Sequence, residues 1–258
     1  MIDSTCKDFD LIIVIGTLLS RDDKERLADI QTCTHNGTKV VYLFSMEDKA
    51  LLEYTTFFSR YEVGSEEGVL ALLAKSLLST HLLPTSLKDY FDDLDEGYVS
   101  AESNFGEEEI EEIEALYSAS DKVLLVLGRD LFAHPRADNI ARLAGLLSRF
   151  GKVTVDNKSV SDDGLVPVSI EALKSFDGVV TYTCPALSSE EEGLLIGSAQ
   201  FQMGAKVQDG EKVSVVINQK AYPRTFVLDS SLKGTIALMP KACENDTTYR
   251  YAVAKIVK

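Results

Sequence analysis

The chain lacks tryptophan and has few of the residues that build metal centres and disulfide frameworks. Its 258 residues include only four cysteines and three histidines. The cysteines lie far apart and form no C-x-x-C pair, whereas disulfide scaffolds, zinc sites and iron–sulfur sites need closely set ligands. We therefore expect reduced, mostly buried thiols and no metal site. These residues are Cys6, Cys33, Cys184 and Cys243, and His35, His81 and His134.

Long apolar runs and a leader sequence are also missing. No apolar stretch approaches the roughly 20 residues that a membrane-spanning helix needs. The first ten residues, "MIDSTCKDFD", have neither a basic region nor an apolar core, so they do not resemble a signal peptide. We expect a cytoplasmic protein without direct membrane insertion.

Positive charge is scarce in one region of the chain. The net charge of −15 argues against nucleic acid and anionic membrane surfaces as partners. Residues 89–121 hold thirteen acidic side chains and no lysine or arginine, and the rest of the chain is nearly balanced. The first half of this segment is expected to be irregular, and its second half, "GEEEIEEIEALYSAS", predicts a helix. A solvated helix is the favoured interpretation, and a docking surface for a basic partner is the alternative.

What the sequence does contain begins with "DLIIVIGTLLSRDDKERLADI". The apolar run ending at Gly16 predicts a buried parallel strand, and a helix with Ser20 as its N-cap follows. "KVVYLF" predicts the next strand and completes a β-α-β unit. A further helix begins within "YEVGSEEG", with Ser65 as its N-cap and Glu66 and Glu67 at its positive end.

The same pattern recurs in "KVLLVLGRDLFAHPRADNIARLAGLLSRFGKVTV", where an apolar strand ends at Gly128 and a helix and another strand follow. A short helix, "SIEALKSF", and a strand, "GVVTYT", are expected to complete the sheet. Two similar halves predict a doubly wound, mostly parallel sheet with helices on both faces. After Cys184, short strands separated by turns predict a smaller β-barrel-like module.

These patterns divide the chain into two domains. Residues 1–182 are expected to form a Rossmann-like α/β body in two halves, 1–84 and 122–182. The acidic insert 85–121 separates these halves. Residues 183–258 are expected to form the β-rich, barrel-like domain.

The candidate ligand sites have weak signatures. The turn "GTLLSR" has one glycine where a dinucleotide fingerprint has three, and no Walker motif is present. In "VGSEEG" the two glutamates would repel a phosphate at the helix N-terminus. No G-x-S-x-G elbow occurs, and the glutamates of "SSEEEG" (188–193) are either an acid–base pair or a charged loop. We expect no catalytic residue.

The order of these segments resembles the C-terminal portion of a molybdopterin oxidoreductase. "DFDLIIVIGTLLSRDDKERLADIQTCTHNGTKVVYLF" is similar to that family's "A-D-hydrophobic-G-[ST]-N-P" strand, turn and helix. "YEVGSEEGVLALLAKSLL" is similar to its "hydrophobic-P-G-T-D-x-A-hydrophobic" segment, and "KVLLVLGRDLFAHPRADNIARLAGLL" to its second strand and helix. "VQDGEKVSVVINQKAYPRTFVLDSSLKGTIALMP" is similar to its barrel. The resemblance covers most of the chain but not the acidic insert.

Departures from the family pattern concern the polar groups that hold the pterin dinucleotide. Phe44 and Ser45 stand where the family has "D-P", and residues 63–66 stand where it has "P-G-T-D". Leu18 and Leu19 replace its "N-P". A phenylalanine cannot hydrogen-bond a guanine, so the resemblance implies a scaffold that has lost its cofactor groups. The vestigial candidates for a cofactor site are Gly16, Thr17, Gly64 and Ser65.

One branch of this superfamily has such a scaffold but no molybdenum cofactor. It is the large G-type subunit of NADH:quinone oxidoreductase, respiratory complex I. The segment "SSEEEGLLIGSAQFQMG" resembles part of that subunit and keeps Glu191, Gly193 and Gln202. The resemblance implies a structural part of the peripheral arm, with no cofactor, no metal and no electron transfer of its own. It also implies that other subunits of the membrane-associated complex are the partners, and that the protein is peripheral to the inner membrane.

Two alternatives remain open from the sequence. One is the cofactor-binding half of an active molybdopterin oxidoreductase, whose molybdenum ligand lies on an upstream segment. The other is a stand-alone nucleotide-binding module that uses Gly16 and Gly64. The three hypotheses differ in what the folded chain binds, so ligand content and ligand-dependent stability distinguish them.

Overall fold

The computed structural model describes residues 6–79, 82–156, 160, 166–170, 172–242 and 248–258. The chain divides into two compact units, residues 1–174 and 175–258. Each unit contains its own sheet, and each is described separately below.

The first unit contains a parallel sheet of five strands in the order β3-β2-β1-β4-β5. Its central strands are continuous runs of Leu, Ile and Val that are buried on both faces, as expected for a parallel sheet covered by helices. Ile13 in β1 lies between Val41 in β2 and Leu125 in β4. The strands are β1 (Leu11–Ile15), β2 (Lys39–Leu43), β3 (Phe57–Ser59), β4 (Val123–Leu127) and β5 (Val153–Val155).

Helices flank this sheet and form two packed groups. The first group contains α1, α2 and α3, and the second contains α4, α6, α7, α8 and α9. The α/β class predicted from the sequence is therefore confirmed for this unit. The helices are α1 (Leu19–Asp22), α2 (Lys24–His35), α3 (Lys49–Leu52), α4 (Glu66–Leu77), α5 (Thr85–Asp92), α6 (Glu96–Ser103), α7 (Glu107–Ser118), α8 (Arg129–Ala133) and α9 (Ala137–Phe150).

The first predicted helix begins differently from its sequence pattern. Ser20 was expected as the N-cap, but this residue lies inside the short helix α1. The main helix α2 begins after Asp23, whose side chain accepts a hydrogen bond from the Arg26 backbone N–H. Asp23 is the better N-cap because its carboxylate accepts a hydrogen bond from a free backbone N–H and is attracted to the positive end of the helix.

The acidic insert is more regular than predicted. Its first half was expected to be irregular, but it forms α5 and α6, and the predicted helix α7 is present. Leu87, Tyr90 and Phe91 share one face of α5 and are buried. Asp95 caps α6 by accepting from the Tyr98 backbone N–H at 3.0 Å. An apolar face and a cap therefore outweigh the unfavourable run of like charges.

The end of the first unit also differs from the prediction. The stretch "SIEALKSF" is not helical at its described residues. The strand predicted from "GVVTYT" is present as β6 (Val180–Pro185), but it pairs within the second sheet and does not complete the first. The division between the units accordingly falls at 174/175, whereas the sequence pattern placed it at 182/183. Pairing partners, which periodicity does not specify, decide to which sheet a strand belongs.

The second unit is a mixed sheet of seven strands in the order β11-β6-β10-β7-β9-β8-β12, and it is nearly closed into a barrel. Parallel pairs occur between β6 and β10 and between β7 and β9. The barrel-like module predicted from the short strands is therefore confirmed. Its further elements are β7 (Leu194–Gly197), α10 (Ala199–Ala205), β8 (Lys212–Ile217), β9 (Lys220–Leu228), β10 (Ile236–Lys241), β11 (Tyr251–Val253) and β12 (Lys255–Val257).

Alternating side chains of these strands form the core of the second unit. Val213 and Val215 on β8 and Phe226 on β9 point inward with Phe201 of α10. Ile217 and Lys220 pair across a two-residue turn in which Asn218 and Gln219 both have positive φ. Such a turn matches the twist of an antiparallel hairpin and fixes the pairing register of β8 and β9.

Two general expectations concern membranes and thiols. Within the described residues, no helix is both long and apolar enough to cross a bilayer. Cys6, Cys33 and Cys184 are buried and form no disulfide within the described residues, as predicted. Burial raises the pKa of Cys33 to about 11, which keeps this thiol protonated at neutral pH. Cys243 and His81 lie outside the described residues.

Candidate functional site

The carboxyl edge of the parallel sheet is where an open α/β fold binds ligands, at the point where strand order reverses. In this sheet β1 is flanked by β2 on one side and by β4 on the other. Gly16 and Thr17 follow β1, and Gly64 and Ser65 follow β3. All four vestigial candidates therefore lie after carboxyl ends of strands.

The turns after β1 and β4 are in direct contact. The Gly128 backbone N–H donates to the Ile15 carbonyl at 2.7 Å, and the Asp130 N–H donates to the Gly16 carbonyl at 3.2 Å. A Cβ at position 128 would lie only 2.0 Å from the Gly16 carbonyl oxygen. Gly16 has a φ of +73°, and a Cβ there would lie 2.7 Å from the Leu131 side chain. Backbone and a leucine thus fill the space between the two turns.

Thr17 is buried and its polar groups bond within the chain. Its hydroxyl donates to the Asp22 carboxylate at 2.8 Å, and the Leu18 backbone N–H donates to the same oxygen at 3.0 Å. The Thr17 carbonyl accepts from the Tyr42 hydroxyl at 3.0 Å. The backbone N–H of Leu18 could serve an anion in a nucleotide site, and here an aspartate carboxylate takes it.

Asp48 is a second carboxylate that accepts hydrogen bonds from backbone N–H groups at this edge. It lies between β2 and β3 and is only 2% exposed. Its carboxylate accepts from the Ser20 backbone N–H at 2.8 Å and from the Ala50 N–H at 3.2 Å. Burial raises the pKa of Asp48, and the hydrogen bonds from Ser20 and Ala50 oppose that shift.

Phe44 directly follows β2, at the carboxyl edge of the sheet. Its side chain is fully buried. Its ring stacks on Tyr42 with a centroid distance of 6.0 Å, and Tyr42 stacks in turn on Phe58. This position is part of an aromatic layer and presents no polar group to a ligand.

Gly64 and Ser65 lie at the start of α4. Ser65 precedes the helix as predicted, but its side chain does not cap a helical N–H; instead its hydroxyl donates to the Glu62 carbonyl at 2.6 Å. Glu66 and Glu67 begin the helix and were predicted to occupy its positive end. Both are almost completely buried, at 0% and 2% exposure.

Two side chains from the segment between α8 and α9 approach these glutamates. His134 Nε2 lies 3.5 Å from the Glu66 carboxylate and 3.3 Å from the Gly64 carbonyl oxygen. Arg136 donates from Nε to both Glu67 oxygens at 3.1 and 3.2 Å. A buried carboxylate without such partners would cost several kcal/mol, so these contacts are what allows Glu67 to be buried.

Asn139 completes the group. Its side-chain amide donates to Glu67 Oε1 at 2.5 Å and to the Val168 carbonyl at 2.9 Å. Its carbonyl oxygen accepts from the Val168 backbone N–H at 2.6 Å. These hydrogen bonds connect residues 166–170 to α9 and, through Glu67, to α4.

His134 is held as a neutral ring. Its Nδ1 accepts from the Arg136 backbone N–H at 3.1 Å, so the proton lies on Nε2. Burial lowers the pKa of His134, the hydrogen bond to the Gly64 carbonyl opposes this, and the charges of Arg136 and Lys174 lower it further. A neutral imidazole at pH 7 donates one hydrogen bond and neutralises no carboxylate.

Asp22, Asp48, Glu66 and Glu67 are hereafter called the edge carboxylates. All four follow the carboxyl end of a strand. Asp22, Asp48 and Glu67 accept hydrogen bonds from the chain itself, and Glu66 lies against His134. Helix α8 runs between the two parts of the edge, with Leu131 against Gly16 and His134 against Gly64. Gly16 and Thr17 hydrogen-bond to Asp130, Asp22 and Tyr42, whereas Gly64 and Ser65 hydrogen-bond to His134 and Glu62.

Sequence reasoning identified Glu66 and Glu67 but missed their partners His134, Arg136 and Asn139, and it also missed Asp48. One signal was present for Asn139, because it shares a helix face with the buried residues Leu143 and Leu146. A polar side chain on an apolar face needs buried partners. Asp48 had no such signal, since only the tertiary fold brings it to Ser20.

Other proposed sites do not gather into a constellation. In "SSEEEG", Glu191 accepts from the Leu187 backbone N–H at 2.8 Å, and Glu190 and Glu192 are exposed. Among the described residues, no three His, Cys, Asp or Glu side chains are grouped as metal ligands. Comparison with known proteins found no matching family model and no matching curated protein.

Proposed function

We propose that this chain is a structural, cofactor-free part of the peripheral arm of respiratory complex I, equivalent to the molybdopterin-enzyme-like portion of the G-type subunit. The resemblance described above motivates the assignment. The observation that carries it is that the edge carboxylates occupy the places where a dinucleotide phosphate would bind. The proposal includes a doubly wound sheet, with the two helix groups on opposite faces, α1 to α3 on one and α4, α6, α7, α8 and α9 on the other.

Electrostatics support a scaffold role over cofactor binding. A phosphate entering the turn after β1 would have to displace Asp22 from the Leu18 N–H and Asp48 from the Ser20 N–H. At the start of α4 it would meet Glu66 and Glu67, whose negative charge repels it. The contact between Gly16 and Gly128 leaves no crevice between β1 and β4 for the rest of a dinucleotide.

On this proposal the chain acts by packing against neighbouring subunits and carries no chemistry of its own. Its partners are the other subunits of a membrane-associated complex, and nucleic acid is not among them. It lies on the cytoplasmic side, held at the inner membrane through the complex and without insertion of its own.

Metal and pterin content is the first test. Purified protein is analysed for molybdenum and tungsten by mass spectrometry and for pterin by fluorescence after oxidation. The proposal expects neither group in stoichiometric amount. Stoichiometric molybdenum with pterin would instead support the active molybdopterin oxidoreductase.

Ligand-dependent stability tests the stand-alone nucleotide-binding module. A ligand that binds only the folded state raises the melting temperature according to its concentration and affinity. We expect no shift with nicotinamide, flavin or guanine dinucleotides at millimolar concentration. A saturable shift that Gly16→Val removes would support the nucleotide module and contradict the scaffold.

Assembly tests the complex I assignment directly. The tagged chain is expressed in its own cells, and detergent-solubilised membranes are separated on a native gel with an in-gel NADH oxidation stain. The tag is expected in the stained band, and deletion of the gene is expected to remove that band. Migration of the tag only at the size of the isolated chain would contradict the assignment.

A further inference from the structure

Two buried cysteines of the first unit lie close together. Cys6 begins a single 3-10 turn, Cys6–Asp8, which packs against α2, and Cys33 lies in the last turn of α2. Both side chains are almost completely buried. The Cys6 sulfur is near enough to Cys33 to act on its thiol by charge and through a hydrogen bond. The fold therefore brings together two thiols that are distant in the sequence.

The helical repeat places a cation on the same side of α2 as Cys33. Arg26, Ile30 and Cys33 follow the spacing i, i+4, i+7, and Ile30 and Cys33 are buried. Arg26 and Cys33 are thus two turns apart along one stripe of the helix. The long side chain of Arg26 reaches Cys6 from this position.

Arg26 holds a positive charge against the Cys6 sulfur. Its Nη1 donates to Cys6 Sγ at 3.4 Å, and its Nη2 forms an ion pair with Asp156. Burial lowers the pKa of Arg26, but the hydrogen bond to Cys6 and the charge of Asp156 outweigh burial and raise it overall. A cation beside a cysteine favours the thiolate, which is the reactive form. Cys6 is therefore the sulfur that is placed to react first.

Cys33 is the member of the pair that keeps its proton. Burial first, then the charge of Cys6 and a hydrogen bond with Cys6, raise the pKa of Cys33 to about 11. At neutral pH this thiol is protonated beside a sulfur that lies against a guanidinium. The pair thus combines a sulfur that can be oxidised with a neighbouring thiol that can supply a proton and close a disulfide.

We propose that Cys6 and Cys33 form a reversible disulfide when a hydroperoxide is present. The Cys6 thiolate attacks one peroxide oxygen, the O–O bond breaks, and Cys6 becomes a sulfenic acid. The hydroxide that leaves takes up the proton that Cys6 had released. The Cys33 sulfur then attacks the Cys6 sulfur, the S–O bond breaks as the S–S bond forms, and the Cys33 proton leaves with the hydroxyl group as water. Two thiols lose two electrons, and hydrogen peroxide is reduced to two waters.

The bond would join the 3-10 turn covalently to α2 and close a loop that contains the central strand β1. A disulfide sulfur carries no negative charge, so the contact of Arg26 with Cys6 weakens on oxidation. Disulfides that form transiently in reducing compartments serve redox sensing. The inference does not rest on the proposed scaffold function, because it depends only on the two thiols and Arg26.

The test is oxidation of the reduced full chain by millimolar hydrogen peroxide. Remaining thiols are blocked with N-ethylmaleimide, and the chain is digested with trypsin without reduction and mapped by mass spectrometry. Trypsin cleaves after Lys7, Arg26 and Lys39, so the expected product is peptide 1–7 joined to peptide 27–39 with the loss of two hydrogens. Dithiothreitol should restore both free peptides. The same oxidation in urea is the control, since an unfolded chain with four cysteines forms several different pairings.

Variants separate the two steps. Cys33→Ser should leave Cys6 as a sulfenic acid that dimedone traps, and no linked peptide should form. Arg26→Gln is expected to slow the oxidation of Cys6 several-fold, and Arg26→Lys, which keeps the charge, should restore most of the rate. Lys24→Gln removes an exposed charge from the same helix and should leave the rate unchanged. Cys184→Ser, in the second unit, should leave the Cys6–Cys33 link unchanged.

Two outcomes would overturn the proposal. One is the absence of the linked peptides 1–7 and 27–39 from the folded chain after oxidation. The other is the same mixture of pairings in the folded chain as in urea, which would mean that the fold does not bring Cys6 to Cys33. Oxidation of Arg26→Gln as fast as the wild type would contradict the part assigned to Arg26. Because peptide mapping of the wild-type chain needs no substitution, the result stands even if Cys33→Ser fails to fold.

Discussion

The two units of this chain differ in how they use charge. Residues 1–174 contain 32 Asp and Glu against 17 Lys and Arg, so they carry the whole net charge of −15. Residues 175–258 contain nine of each and are neutral. In the first unit, carboxylates occupy the edge at which α/β folds bind anions. In the second, acidic and basic side chains balance, and the buried Nε of Arg224 has no hydrogen-bond partner among the described residues.

This difference suggests that overall charge is a poor guide to where an anion can bind. The net charge argues against anionic partners for the chain as a whole, yet it belongs to one unit only. Local geometry decides the matter: in the first unit the Leu18 and Ser20 N–H groups already have carboxylate acceptors. The predictions below compare the two units from the largest expected effect to the smallest.

The largest effect is expected where backbone contacts backbone. Gly128→Ala places a Cβ 2.0 Å from the Gly16 carbonyl oxygen, a clash that no side-chain movement relieves. We expect a loss of more than about 4 kcal/mol in the free energy of unfolding, or failure of the first unit to fold. Because the chain has no tryptophan, hydrogen exchange measured by mass spectrometry is the suitable readout, and it resolves each unit.

Gly204→Ala in the second unit is the matched control. Gly204 lies inside α10, and a Cβ there meets nothing within 4 Å. This change should be neutral or should stabilise by up to about 1 kcal/mol, because alanine is the better helix former. Equal protection of the first unit in wild type and Gly128→Ala would show that the turns after β1 and β4 are not in contact.

The fold could be predicted from the sequence to the extent that it depends on local patterns. The apolar runs at 11–15 and 123–127 specified buried parallel strands, and the turn residues after Cys184 separated short strands. The pairing of β6 with β10 and β11 could not be predicted, because periodicity contains no information on partners. Helices α5 and α6 were not predicted, although Leu87, Tyr90 and Phe91 lie at helical spacing and form the buried face of α5.

The next effect concerns the buried ion pair of the first unit. Arg136→Met leaves Glu67, which is 2% exposed, without its cationic partner. Removing one member of a buried pair costs about 3–5 kcal/mol, since the remaining charge is uncompensated. Urea unfolding followed by circular dichroism measures the loss.

Arg149→Met, in the helix that follows Arg136, serves as the control for this change. Arg149 is exposed and lies over the Phe150 ring at 5.1 Å, so its replacement should cost less than about 1 kcal/mol. If Arg136→Met and Arg149→Met were equally stable, the Glu67 carboxylate would not depend on Arg136. The edge carboxylates would then be held by hydrogen bonds alone.

The candidate site was less predictable than the fold. The sequence pointed to Gly16, Thr17, Gly64 and Ser65 by their place after apolar strands, and these positions do lie at the carboxyl edge. The groups that occupy this edge come from elsewhere in the chain. Asp48 is 28 residues from Ser20, and Asn139 is 72 residues from Glu67. Contacts of that kind have no local signature.

The smallest effect is a pH dependence confined to the first unit. All three histidines belong to residues 1–174, and burial lowers the pKa of His134 beside Glu66, Arg136 and Lys174. Between that lowered pKa and the ordinary value of about 6.5, the unfolded chain binds a proton that the folded chain does not, so stability falls as the pH falls. Comparing His134→Gln with wild type from pH 7.5 to 5 should show a smaller loss in the variant, and hydrogen exchange of the second unit should change little. A wild-type first unit that became more stable on acidification through this range would mean that the Glu66 carboxylate holds a protonated His134.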